Sequence, residues 1–292
     1  MIAILLLAAQ IPSLHWDKGP GTMEDLQRAG ITKIAGSIEI GGAVKLGKPG
    51  VQMRVNEASA TRSPWIDSNG WRFLRAPKAR FFAGVPGATA GIAAAEAFMF
   101  GADVIVQTDA AGLEAFGAMV AFLSTIKPVD WPGVANLGFQ DDGTPLAGEA
   151  LNLLVRKNLL PRVVREPDPR LPLNVQIGTA KYPKSSAANP AEFAQKIRAE
   201  ITDEKRALRI FGAETVVARL QSDGRSLRVH LLNYASRPLR GFRVRVLGRY
   251  TGSSVAAFGV PSAALVDYEA FQDATEFTIP EMISYAVVDL SR

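Results

Sequence analysis

The feature that most constrains the fold is a change of pattern in the last third of the chain. From about residue 214 onward only short β-type runs remain: 214–220, 227–234, 242–247, 264–268, 276–279 and 285–290. Each alternates apolar with polar residues or is β-branched, and turn residues separate them. Before that point helical and β-type segments alternate. The order predicts two parts, an α/β body and an all-β antiparallel sandwich over 212–292, joined by a linker and charged helix over 181–211.

The chain is 292 residues long, with 48% hydrophobic and 21% charged residues, which suits a globular protein with a sizeable core. The net charge of +5 comes largely from arginine. Arg240, Arg243, Arg245 and Arg249 are the densest group, but Arg243 and Arg245 are two apart and share one face of a strand, as on a solvated sheet surface. No basic helix or aromatic RNA-binding motif accompanies them, so no nucleic-acid partner is expected.

The chain has no cysteine, which removes disulfides, thiolate nucleophiles and cysteine metal sites. Its two histidines, His15 and His230, are far apart in sequence, so neither a histidine metal site nor a Ser-His-Asp triad is expected. The Gly84-Val-Pro-Gly87 turn before a helix lacks both the dinucleotide fingerprint and the P-loop Lys-Ser/Thr. No metal and no cofactor is expected.

Residues 2–9 form an unbroken apolar run ending in Ala8-Ala9-Gln10. A membrane span needs about 20 such residues; this run has the length of a signal-peptide core with small residues at its end. A buried first strand is the alternative. The expectation is a signal peptide over 1–10, export to a bacterial periplasm or medium, and no transmembrane segment.

Over 11–180 there are eight β-like runs, with helices between several of them, such as the Ala-rich 89–100 stopped by Gly101. The expected architecture is a (β/α)8-barrel-like body, complete or shortened, because barrels take about 250 residues; a doubly wound open sheet is the alternative. Either way sites gather at the C-terminal ends of strands. The residues placed there are His15, Asp17, Asn56, Glu57, Asp109, Asp141 and Asp142. Cleaving a glycosidic bond takes two carboxyl groups facing one bond. Trp16, Trp65 and Trp71 lie in adjoining loops, where flat aromatic faces suit sugar rings. The plain alternatives are an N-cap for Asp109, a turn for Asp141-Asp142-Gly143, and packing under a loop for Trp71. Glu96, within the Ala-rich helix, needs a partner if buried.

The last 80 or so residues carry a resemblance. Arg228-Val-His-Leu-Leu-Asn-Tyr234, Phe242-Arg-Val-Arg-Val246, Phe277-Thr-Ile-Pro280 and Tyr285-Ala-Val-Val-Asp-Leu290 resemble the terminal β domain of bacterial glycoside hydrolases. The resemblance implies a carbohydrate-active protein. Glu57 would be the acid/base and Asp109 its partner, with Asp17 and Asp141 next. His15, Trp16, Asn56, Trp65, Trp71 and Asp142 would bind substrate. The alternative is a non-catalytic glycan- or protein-binding module on a degenerate barrel.

Overall fold

A computed structural model describes residues 11–17, 23–55 and 62–292. The apolar run at 2–9 and the Asn56-Glu57 pair lie outside the described residues. The chain forms two compact units. One takes the described residues up to Asn69 together with Ala76–Trp131; the other takes Gly70–Arg75 and Pro132–Arg292.

The first unit is built on a five-stranded sheet. Its strands are β1 (Ser13–His15), β2 (Ile34–Ala35), β3 (Val44–Lys45), β6 (Arg80–Gly84) and β7 (Asp103–Gln107). They are ordered β2-β1-β7-β6-β3, and every pair is parallel. The last strand thus pairs with the first, as when a (β/α) barrel closes. Among the described residues β2 and β3 remain edges, so these strands do not make a complete barrel. Helices α1 (Met23–Arg28), α2 (Ser37–Ile40), α4 (Thr89–Phe100) and α5 (Ala110–Thr125) belong to the same unit.

The two faces of this sheet differ. Thr108 lies against Gly112 of α5, a position where any Cβ would collide with it, so Thr108 marks the helix side. Alternation puts Val106 and its register partners Leu14 and Ala83 on that side, and all three are fully buried. The opposite face carries the row Ala35, His15, Gln107, Gly84. That row, which holds His15 and Gln107, is the last of the paired rows at the C-terminal edge of β1 and β7.

Two expectations about the body are corrected. The run 51–55 is not a strand of the parallel sheet: β4 (Gly50–Val55) pairs antiparallel with β5 (Arg62–Asp67) as a separate hairpin. A short apolar run does not reveal which neighbour it pairs with, and here a local return of the chain supplies the partner. The last three runs also leave the five-stranded sheet. In the second unit β8 (Leu137–Gln140), β9 (Pro161–Val164) and β10 (Asn174–Gln176) form their own parallel sheet, ordered β10-β8-β9. Helix α6 (Pro145–Arg156) connects β8 to β9. It starts at the Thr144 cap, with Pro145 in the first turn, as its sequence dictates. Helix α3 (Gly70–Arg75) packs in the same unit, with the Trp71 ring against Gly148 of α6.

The 182–190 segment is not a plain polar linker. Tyr182 is fully buried, packs edge-on to Phe193 and donates its hydroxyl to Glu200 at 2.6 Å, and α7 (Lys184–Ala187) follows it. Helix α8 (Pro190–Ile201) then leads to the sandwich.

The all-β region is two four-stranded antiparallel sheets. One is β11-β14-β17-β16, comprising Leu208–Phe211, Leu239–Leu247, Ala274–Met282 and Val266–Ala270. The other is β12-β13-β18-β15, comprising Val216–Ser222, Ser226–Asn233, Tyr285–Ser291 and Gly252–Ala257. Phe242, Val244, Val246, Phe277 and Ile279 of the first share one core with Leu220, Val229, Leu231, Val288 and Leu290 of the second. Arg243 and Arg245 alternate with the core residues and point outward, where Glu276 lies 2.7 Å from Arg243 and 3.5 Å from Arg245. The arginine group is therefore a cross-strand ion-pair ladder on a solvated face.

Candidate functional site

The C-terminal edge of the five-stranded sheet gathers His15, Asp17, Gln107 and Asp109. His15 and Gln107 are register partners, so they share a face, and Asp17 lies two residues past His15 on the same side. Asp17 and Asp109 each lie two residues beyond this paired row, Asp17 after β1 and Asp109 after β7.

Each is held differently. The His15 ring is buried, and its Nδ1 lies 3.1 Å from the Ala35 carbonyl oxygen. A carbonyl only accepts, so Nδ1 carries the proton and Nε2 of the neutral ring is an acceptor. Gln107 donates Nε2–H to Asp17 Oδ2 at 3.0 Å. Asp109 caps α5: its Oδ1 accepts from the Gly112 N–H at 2.8 Å and from the Gly87 N–H at 2.9 Å. It joins the βα turn after β6 to the start of α5, so the N-cap reading of Asp109 describes its geometry. The 84–87 turn is thereby tied to a carboxylate of the chain itself.

The remaining candidates are dispersed. Asn56 and Glu57 lie outside the described residues; the strand before them in sequence, β4, is an arm of the hairpin. Trp65 lies in the other arm, opposite Gln52. Trp16 follows His15 and is half-buried.

Asp141 and Asp142 follow β8 of the three-stranded sheet. Arg75 grips Asp141 through Nε–Oδ2 at 2.5 Å and Nη2–Oδ1 at 2.8 Å. The Asp141 side chain is only 6% exposed. Trp71, on the same helix as Arg75, lies beneath the Arg72 and Arg75 guanidiniums at 4.2 and 5.2 Å from its ring centroid. Asp142 Oδ1 accepts from the Thr144 hydroxyl at 2.6 Å and backbone N–H at 3.0 Å. These bonds, the hydroxyl's first, hold its carboxyl below the usual range. Asp141, Asp142 and Trp71 are thus bound up in the start of α6.

One residue gains importance that its sequence context hid, and another finds the partners its context called for. Gln107 was only the end of a predicted strand; the alternation of Val104 and Val106 with Ile105 and Gln107 was the signal that it faces away from the helices. Glu96, 1% exposed in α4, has the partners its burial demands. It accepts from Ser68 Oγ at 2.9 Å, Asn69 N at 2.6 Å and Asn69 Nδ2 at 3.2 Å. Asn69 in turn clamps both the N–H and the carbonyl of Gly47. This network fastens both ends of the β4–β5 hairpin. Among the described residues no group of three or more His, Asp or Glu side chains could hold a metal, and no helix is long and apolar enough to cross a membrane.

No protein-family model matches the chain, and no curated protein does. Solved structures do. An alpha-L-fucosidase from Paenibacillus thiaminolyticus superposes with a TM-score of 0.56 at 11% identity, over 76% of this chain and 62% of that one. This chain shares its fold with that glycoside hydrolase. It spans less than two thirds of the enzyme's length. Alpha-amylases from H. orenii (12% identity, 76% of this chain, 56% of that chain) and Geobacillus thermoleovorans (10%, 76% and 57%) also match, at TM-scores of 0.20 and 0.19 that carry no weight.

Proposed function

We propose that this is an exported carbohydrate-active protein that hydrolyses glycosidic bonds at the C-terminal edge of the five-stranded sheet. The observation that carries this reading is the cluster of His15, Asp17 and Gln107 at the C-terminal edge of the sheet, the edge where (β/α) barrels place their sites. The fold shared with a fucosidase supports it. Asp17 is the carboxylate on which the reaction rests; it is exposed, and among the described residues it is held by one amide. Asp109, the cap of α5 that follows the adjacent strand, is proposed as its partner; Glu57 stands as acid/base on sequence grounds. A carboxylate pair divides the work, one protonating the leaving oxygen and the other attacking or activating water. The apolar run at 2–9 supports export, which the mass of the mature protein tests: a retained Met1 in the periplasm or medium rules out cleavage there.

A pH–rate profile on a panel of aryl glycosides tests the reaction. A bell-shaped profile abolished by Asp17→Asn supports hydrolysis. Absence of turnover across the panel, with glycan binding retained, supports the non-catalytic binding reading instead.

A further inference from the structure

We infer that the β1–β7 strand ends form a subsite of hydrogen-bond acceptors that selects a neutral ligand with adjacent hydroxyl groups, and that Gln107 is the residue that orients it. The inference rests on the carbohydrate-active reading and deepens it.

Three acceptors converge on one face of the sheet. In the neutral ring the Ala35 carbonyl places the proton of His15 on Nδ1, and Nε2 then carries the lone pair. His15 is 7% exposed, and among the described residues its Nε2 has no partner. Gln107 uses its amide N–H on Asp17 Oδ2. That bond leaves Asp17 Oδ1 and Gln107 Oε1 as acceptors beside it. Among the described residues the group that holds Asp17 is the neutral Gln107 amide, which does not neutralise its negative charge. Hydroxyl donors satisfy such a set; an anionic group meets the charge of Asp17 and two lone pairs.

The backbone leaves room for a ligand. Small residues flank the polar pair in the same cross-strand row, Ala35 beside His15 and Gly84 beside Gln107. A Cβ at Gly84 would rest in ordinary contact with the Phe82 ring edge at 3.8 Å, so the glycine leaves a methyl-sized space beside Gln107.

Gln107 acts through Asp17 and is a positioning residue. Without its amide the carboxylate loses its fixed orientation while its charge stays.

The chain's two histidines make the test direct. The His15 and His230 imidazole nitrogens are followed by NMR in the full-length protein during titration with neutral methyl hexosides and the matching methyl uronides. His230, enclosed in the sandwich, is the internal control. Expected is a shift of His15 Nε2 with at least one neutral glycoside while His230 stays still. The uronide should bind at least about threefold more weakly, and Gln107→Leu should weaken the neutral ligand by about tenfold or more. A His15 signal silent to the whole neutral panel, a uronide bound as tightly, or an unchanged affinity in Gln107→Leu overturns the inference. Calorimetry on the same ligands separates the two readings. Heat of sugar binding with His15 silent overturns only the subsite. No binding and no turnover with any glycoside overturns the carbohydrate reading as well.

Discussion

The chain has two parallel sheets, and acidic residues follow the strands of both. At the end of β8, Asp141 is locked by a bidentate arginine and Asp142 by its own turn. At the end of β1, Asp17 has a single amide contact. Their local sequences are equally promising, yet one sheet uses its carboxylates as mortar and the other leaves one open. A strand-end carboxylate indicates chemistry only when the fold does not already use its oxygens.

Substitutions test this contrast, and the largest effect belongs to activity. Asp17→Asn is expected to lower glycoside turnover by about 10²–10⁴-fold while changing stability by less than about 0.5 kcal/mol, since the residue is exposed. Steady-state rates and urea denaturation read the two separately. Asp141→Asn should do the reverse. Losing one partner of a largely buried ion pair destabilises by about 3 kcal/mol, and turnover normalised to folded protein should hold; inactivation without destabilisation would break the contrast.

Glu96→Gln exchanges an acceptor of three bonds for an amide with one acceptor oxygen, at a cost of about 1–3 kcal/mol in urea. Asp109→Ala removes the α5 cap and should cost about 1 kcal/mol. A far larger loss of turnover than of stability in Asp109→Ala would show that its carboxylate works on substrate as well.

The sandwich supplies a dependence on pH. His230 is buried between Tyr285 Oη at 2.6 Å and Gln221 Oε1 at 2.8 Å. Burial first, then the Arg219 and Arg228 charges, hold its pKa well below 6.5. The unfolded chain takes up a proton near pH 6.5 and the folded one does not, so stability is lost as pH falls below that value. The loss is at most about 1.4 kcal/mol per pH unit until folded His230 itself protonates. Denaturation between pH 7 and 5 should show this slope, and His230→Gln should flatten it.

Much of the fold was legible in the residues. The six β-type runs of the last third all fall within strands of the sandwich or at its edge, because alternation of Val244, Val246 and Phe277 with Arg243, Arg245 and Glu276 specifies a half-buried sheet directly. The helix from Ala-rich Thr89 to Phe100 ends at Gly101 in the left-handed conformation, as its sequence signals. The candidate site was less legible. His15, Asp17 and Asp109 are found on one edge, but Gln107 looked like an ordinary strand end, and the strand before Asn56-Glu57 was assigned to the wrong sheet.

The sequence by itself determined what local rules control: strand and helix positions, caps, the outward arginine ladder and the need of Glu96 for partners. Only the tertiary structure decided which strands are neighbours, and therefore which side chains meet. Pairing joins residues distant in the chain, such as His15 with Gln107 and Arg75 with Asp141. An apolar period shows that a face is buried but carries no record of what lies against it, so whether a strand-end carboxylate is open or already bound is settled by partners that the local sequence does not name.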